Sequence, residues 1–389
     1  MKLRLLPWLA AASMALTATA HAEPAFERWR AYTGVTWDTD GAAPFSGSVT
    51  APIAGLHFDA AGQAYVSTPR VLSAGSPATL SRLDTSRTEG PARLTAFPST
   101  QGNDVAADPA TSLRSVLGFH VDHRNGWLWA LDMGWVAGEK EAPAGAQKLA
   151  VYDLRTGRLL KHIGLDGVAD RAGSFLNDVV VDEVRRVAYV SDSGLRSAPD
   201  NQVGILVVDY ATGTARRVLD GHPSVQVEPG VKVTVRGAEV WPGNPLRLGI
   251  NGIGLSPDGA TLYWTVTTGT RLHALPTRLL RDAKASAVAL AAAVRDLGAV
   301  GGNTDGIVTD ARGRLHITDV TRNGITSFDP KTKRLSLVAN DDGVRWPDTP
   351  AIGPGGDLYV TASALNDHFA GAVRAGSERY EIWRLRLPR

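Results

Sequence analysis

Apolar and polar residues alternate in short runs along most of the chain, and the runs come in pairs. Residues 248–265, LGINGIGLSPDGATLYWT, are the clearest pair. An alternating run headed by Asn251 meets a Pro257-Asp258-Gly259 turn, and a second run follows through Leu262, Tyr263 and Trp264. Period-two alternation bounded by turn residues predicts a β-hairpin. Similar stretches start at Leu176 (LNDVVVDEVRRVAYVSDSG), Thr304 (TDGIVTDARGRLHITD) and Pro347 (PDTPAIGPGGDLYVTAS). Weaker copies start at Ile53 (IAGLHFDAAGQAYVST) and Val116 (VLGFHVDHRNGWLWALD).

A third run follows most hairpins, as in KLAVYDLRTG (148–157) and VGILVVDYATG (203–213), and a fourth follows the TG or TK turn. Four antiparallel strands repeated six times, at spacings of roughly 40 to 75 residues, predict an all-β, six-bladed β-propeller. The last repeat ends at its third strand, while a spare strand, FERWRAYTG (26–34), precedes the first hairpin. Joining that strand to the last blade would close the ring through its two ends and remove a free edge. One segment breaks the pattern. Residues 276–298 are rich in Ala and Leu and predict a helical insertion ahead of the fifth blade.

Aligned on their turns, the six hairpins begin with Ala54, Leu117, Asn177, Asn251, Asp305 and Asp348. In a propeller these heads surround the central axis, so two amides and two carboxylates on consecutive blades would face one another. Oxygen donors of this kind suit Ca²⁺ or another hard divalent cation rather than zinc or copper. The same residues also start turns, which is the structural alternative. Asp305 and Asp348 are the candidate bases, because close carboxylates raise each other's pKa towards the working pH. The ends of the second strands add Asp132, Asp192, Asp319 and Arg70 as candidate ligand contacts, with Trp135 and Phe369 as aromatic walls. His57, His120 and His316 lie within strands and read as packed; His368, beside Asp367, is placed to carry a proton.

Charge and composition narrow the classes. Lys2 and Arg4, an apolar run from Leu5 to Leu16 and Ala20-His21-Ala22 predict a secretory signal over residues 1–22. That run is too short to span a bilayer, and no later segment is long and apolar enough. The chain holds 41 Lys and Arg against 39 Asp and Glu. Cleavage after Ala22 removes two bases and no acid, leaving a neutral chain, secreted or periplasmic, with no character of a nucleic-acid binder. There is no cysteine, which excludes thiolate nucleophiles and disulfides. No G-x-S-x-G, H-E-x-x-H or Walker motif occurs. The expected partner is a small molecule; oligomeric state is not legible.

TPRVLSAGSPATLSRLD (68–84) resembles a signature of the yellow and major royal jelly protein family. LRSVLGFHVDHRNGWLWALDMG (113–134), KLAVYDL, INGIGLSPDGATLYW, GGNTDGIVTDARGRLHITD and WPDTPAIGPGGDLYVT resemble that family's later segments, in order. The resemblance implies a secreted six-bladed propeller, with dopachrome tautomerisation or the binding of biogenic amines among its activities. Insect members commonly carry cysteines, and this chain departs there. A more distant resemblance is to gluconolactonase and senescence-marker propellers, which bind a divalent cation through a Glu, two Asn and an Asp. Asn177, Asn251 and Asp305 match the last three, and Ala54 stands at the Glu position. A cation-dependent lactone hydrolase and a non-enzymatic envelope binding protein are the alternatives.

Overall fold

The turn at Pro257-Asp258-Gly259 shows how each repeat folds. Asp258 Oδ1 accepts the Ala260 N–H at 2.9 Å and the Ser256 hydroxyl at 2.6 Å, and Gly259 takes a φ of +66°. The side chain stands in for a backbone turn, and glycine supplies the left-handed step. Strands Ile250–Leu255 and Thr261–Val266 then pair antiparallel on either side.

The computed structural model describes residues 26–38 and 45–388. The expected signal at 1–22 lies outside the described residues. Among those described, no helix is long and apolar enough to cross a membrane.

The fold is all-β and propeller-like. Four sheets are separate and four-stranded, each in chain order. They run from Val116–Asp122 to Leu159–Gly164, from Leu176–Asp182 to Thr214–Val218, from Ile250–Leu255 to Arg295–Ala299, and from Ile307–Thr309 to Arg334–Asn340. The other large sheet has eight strands. In it, Phe26–Trp37 lies between Tyr380–Leu385 and Glu89–Ala96. Its first half pairs antiparallel with Tyr380–Leu385, and its second half pairs parallel with Glu89–Leu94. The parallel half is absent from the sequence expectation, which ended the strand at 34. The chain bends at Gly34 (φ +140°) and continues to Trp37, whose indole N–H donates to Ser81 Oγ at 3.0 Å.

Within 276–298, expected to be a helical insertion, lie two short helices, Thr277–Arg281 and Ala287–Ala293. The C-terminal part of that expectation is corrected: Arg295–Ala299 is a strand paired with Arg271–Pro276. The open edge of that strand offers backbone hydrogen bonds, and Arg271 pairs with Asp296, so sheet pairing overrides local helix propensity. Apolar cores fill the spaces between sheets; one joins Trp129 and Val151 to Val181, Val190 and Leu206.

The first strands lie side by side in chain order, and the Pro347–Ile352 strand touches Leu56–Phe58. Four of them shift register just after their heads, between Val116 and Phe119, Leu176 and Val179, Ile250 and Ile253, and Pro347 and Pro350. Such bulges re-aim side chains. Most heads are followed by glycine, for a reason of contact. A Cβ on Gly252 would stand 2.5 Å from the Asp305 carbonyl oxygen, and one on Gly306 2.5 Å from that of Asp348.

Gly252→Ala is therefore expected to destabilise the fold by about 1–3 kcal/mol through overpacking. Gly167→Ala, which meets no atom within 4 Å, is the comparison. Urea unfolding of both variants measures the difference.

Candidate functional site

The bulges turn the heads of the first strands towards the axis, where two cavities meet. Leu117, Asn177, Asn251 and Asp348 line both. The head-side cavity, of about 60 Å³, also receives Asp305. Its walls are apolar: Val71, Phe175, Trp241, Leu248, Trp346 and Phe369. The turn-side cavity, of about 210 Å³, extends along the first strands past Asp178, Val181 and Thr309.

Asn177, Asn251, Asp305 and Asp348 are all buried and come together at this waist. Their hydrogen bonds differ in kind. The Asn177 amide donates to Ser193 Oγ at 3.0 Å. The Asn251 amide donates to Thr267 Oγ1 at 2.9 Å and to Asp305 Oδ1. The Trp346 indole N–H donates to Asp305 Oδ2 at 2.5 Å. Both oxygens of Asp305 are thereby engaged. Asp348 Oδ2 is buried without a partner.

Burial sets the electrostatics. It pushes the Asp305 carboxyl up to about 7, against the lowering effect of the Trp346 and Asn251 donors. Burial, then the charges of Asp305 and Asp178, hold Asp348 well above the usual carboxylate range. Asp178 is also pushed up to about 7, mainly by burial, although the Val179 and Ile253 amides oppose the shift. In water a carboxylate keeps its charge because solvent stabilises it; here the protonated form is favoured instead.

The candidates at the ends of the second strands lie elsewhere and do other work. Asp132 is fully buried and accepts the amides of Arg114, Ser115 and Gly134 and the Lys148 ammonium at 2.7 to 2.9 Å. Asp192 accepts the amides of Phe175 and Gly194 and pairs with Arg217 at 2.7 Å. Asp319 accepts the Arg322 amide at 2.8 Å and pairs with its guanidinium. Arg70 is buried and donates to carbonyl oxygens of Ser76, Asn103, Leu113 and Arg114. These four tie loops to strand ends, and none lines either axial cavity. Trp135 stands behind the wall, 6.0 Å from Phe175 and under the Arg196 guanidinium at 4.3 Å. Phe369 does line the head-side mouth. His368 is tied by Nδ1 to the Val49 carbonyl at 2.9 Å, away from both cavities.

Three contributors escape the sequence reading. Asp178 follows Asn177 and, by strict alternation, would face away from the axis; the bulge brings both onto the cavities. His57 and His120, taken as packed residues, line the turn-side cavity. The segment between Val218 and Ile250 covers the head-side mouth with Trp241, Leu246 and Leu248. Trp241 is fixed by a 3.0 Å hydrogen bond from its indole to the Asn366 carbonyl. The sequence signal for it is the Pro- and Gly-rich run around Trp241, PGVKVTVRGAEVWPGNP.

A divalent cation would need more than this donor set. Ca²⁺ takes about 6–8 oxygens. Ala54, at the head of the first hairpin, is apolar and fully buried, and Asp305 already spends both oxygens on N–H donors. Among the described residues, no group of three or more His, Cys, Asp or Glu is arranged to hold a metal. The residues present do not complete a Ca²⁺ shell.

Two expectations follow. Asp132→Ala leaves the buried Lys148 unpaired and should cost about 3–5 kcal/mol without altering ligand affinity; denaturant unfolding and calorimetric binding separate the two. The raised carboxyls give a sign for pH. The folded state binds the extra protons, so their contribution to stability is full below the unfolded carboxylate range and is lost as pH rises towards about 7. Asp305→Asn should lose less stability than the wild-type chain between pH 5 and 8, which thermal melts across that window report.

The comparisons with known proteins agree with this architecture. No curated protein matches the sequence. Among solved structures, a luciferin-regenerating enzyme is similar with a TM-score of 0.53 at 12% identity, over 93% of this chain and 95% of that one. A gluconolactonase from Xanthomonas campestris gives 0.51 at 16% identity, over 95% and 96%. A calcium-binding protein, regucalcin, from Agrobacterium tumefaciens gives 0.50 at 18% identity, over 86% and 91%. At such identities the likeness concerns the fold. The model of the family described as Major royal jelly protein matches residues 114–389, and the chain belongs to that family.

Proposed function

We propose that this chain is an exported six-bladed propeller that takes a flat, largely apolar small molecule at its head-side mouth and shifts a proton on it, a tautomerisation of the dopachrome-conversion type. The six-bladed reading counts the eight-stranded sheet as two blades joined edge to edge by Phe26–Trp37. The unbroken succession of touching first strands supports that count. The basic, apolar and small-residue order of positions 1–22 supports export.

One observation carries the functional reading: an apolar cavity ends on two buried carboxyl groups, one with a free oxygen. Asp348 is the base. As a carboxylate it takes the proton from carbon next to a carbonyl, the C–H electron pair moves towards the carbonyl oxygen, and the new O–H on Asp348 later returns its proton to the product. A carboxyl raised above its usual range is a stronger base for the first half and still returns the proton in the second. Burial raises Asp348 most, and Asp305, held by Trp346 and Asn251, adds a neighbouring charge that raises it further. Asn177 donates one amide hydrogen to Ser193 and keeps the other for an oxygen that gains charge.

Cation-dependent lactone hydrolysis is the weaker reading. The donor set is incomplete, and an apolar wall would leave the hydroxyls of a sugar lactone without partners. A binding protein without turnover would use the same cavity.

Mixing the purified protein with dopachrome and following its decolourisation tests the proposal. Decay faster than background is expected, and Asp348→Asn should slow it by about 10²–10⁴-fold. Decay at the background rate removes the tautomerase; binding heat with an aromatic ligand would then leave the binding protein. Millimolar Ca²⁺ or a chelator should change neither rate nor melting temperature, and a clear rise with Ca²⁺ would restore the lactonase.

A further inference from the structure

The head-side cavity, as it stands, is too small for a flat ring. Its volume is about 60 Å³. A cavity that takes up a single benzene molecule measures about 150 Å³. A flat molecule therefore enters only if part of the wall moves. One wall residue, Trp241, is carried by residues 231–242, which belong to none of the blade sheets. Their hairpin, Thr234–Val235 with Ala238–Glu239, pairs only with itself.

Both ends of this segment are anchored on one residue. The Glu228 amide donates to the Thr268 carbonyl and the Leu248 amide to Thr268 Oγ1, each at 2.9 Å. Just inside the anchors stand Gly230 (φ +79°) and Gly243 (φ +89°), and a Cβ on either would meet no atom within 4 Å. Glycine in open space is free to turn. The segment between them is packed on one side only. Val233 and Val240 are buried in a cluster with Val320 and Trp346. Beside them a cleft of about 360 Å³ separates Arg236 and Glu239 from Asn323 and Asp367 on the body. Hydrogen bonds tie the segment down at Thr234, whose amide meets Asn303 Oδ1, and at Arg236, whose amide meets the Thr321 carbonyl, both at 3.1 Å. The third tie is the Trp241 indole on the Asn366 carbonyl. Trp241 itself has a φ of +54°. A bulky side chain keeps that conformation only while its surroundings hold it, so release of the segment relieves strain.

We propose that residues 231–242 are a lid, hinged at Gly230 and Gly243, that swings Trp241 off the head-side mouth to admit ligand. The inference rests on the reading of that mouth as the ligand site. Leu246 and Leu248, beyond the second hinge, stay with the body. Lids of this kind open locally while the rest of the fold stays intact.

The chain has no cysteine, so an introduced thiol is unique in the full-length protein. Val71→Cys places one in the head-side mouth and Val180→Cys one in the turn-side cavity, both at half-buried valines. Labelling by 4,4′-dithiodipyridine, a flat aromatic disulfide, reports how readily a ring reaches each. Trp241→Phe keeps a ring and removes the hydrogen bond to Asn366. It should speed labelling of Val71→Cys by about three- to tenfold, the worth of one buried hydrogen bond, and leave Val180→Cys unchanged. It should also speed hydrogen exchange at the Val240 amide by the same factor, which loss of bulk alone would not do. In the unsubstituted protein, the Thr234, Arg236 and Val240 amides should exchange together, well before the strand amides of Tyr189 and Trp264. Unchanged labelling of Val71→Cys, equal acceleration at both thiols, or exchange of the three amides only along with the strands would overturn the proposal. Dopachrome enters neither measurement. A protein inert towards dopachrome that gives these results keeps the lid and loses the tautomerase, and the reverse outcome removes the lid alone.

Discussion

The contact on which the rest of the structure depends is the meeting of one strand head with the next. The carbonyl of Asp305 presses on Gly252, and that of Asp348 on Gly306, at distances a side chain would forbid. Hydroxyls on the second strands brace the same region: Thr318 Oγ1 accepts the Gly306 amide at 2.9 Å, and Thr361 Oγ1 donates to the Ala54 carbonyl at 2.7 Å. This close approach sets the width of the axis. It also explains why carboxyls on different sheets share one desolvated space and resist ionisation together.

The aspartates fall into two groups with opposite physics. Asp132, Asp192 and Asp319 sit where loop amides converge and cations stand near, so several N–H donors meet each charge. Asp305, Asp348 and Asp178 have fewer donors and no cation, and burial raises all three. The first group stabilises the ring. The second is a cost the fold carries, as expected of groups retained for chemistry or binding rather than for packing.

The hairpins and their heads were legible because alternation, turn residues and repeat spacing agree. Asn177, Asn251, Asp305 and Asp348 were found by counting back from the turns. Asp178 was not, because a bulge breaks the two-residue period without any sequence mark of its own. Asp132 and Asp192 were misassigned although a signal was present. Each begins an Asp-x-Gly triplet, and each accepts the amide of its own glycine, Gly134 or Gly194, as a turn-forming aspartate does. The second half of the Phe26–Trp37 strand was missed because its partner lies parallel in another repeat, and parallel pairing leaves no local hairpin signature.

That strand constrains the order of assembly. Phe26 pairs with Leu385 and Arg28 with Trp383, so this pairing forms only after the residues between them have been made. Neither partner can be replaced by anything local, and contacts of such long sequence separation form slowly. Until Tyr380–Leu385 is in place, the Phe26–Trp37 strand holds only its parallel neighbour, so the eight-stranded sheet stays half joined late into folding.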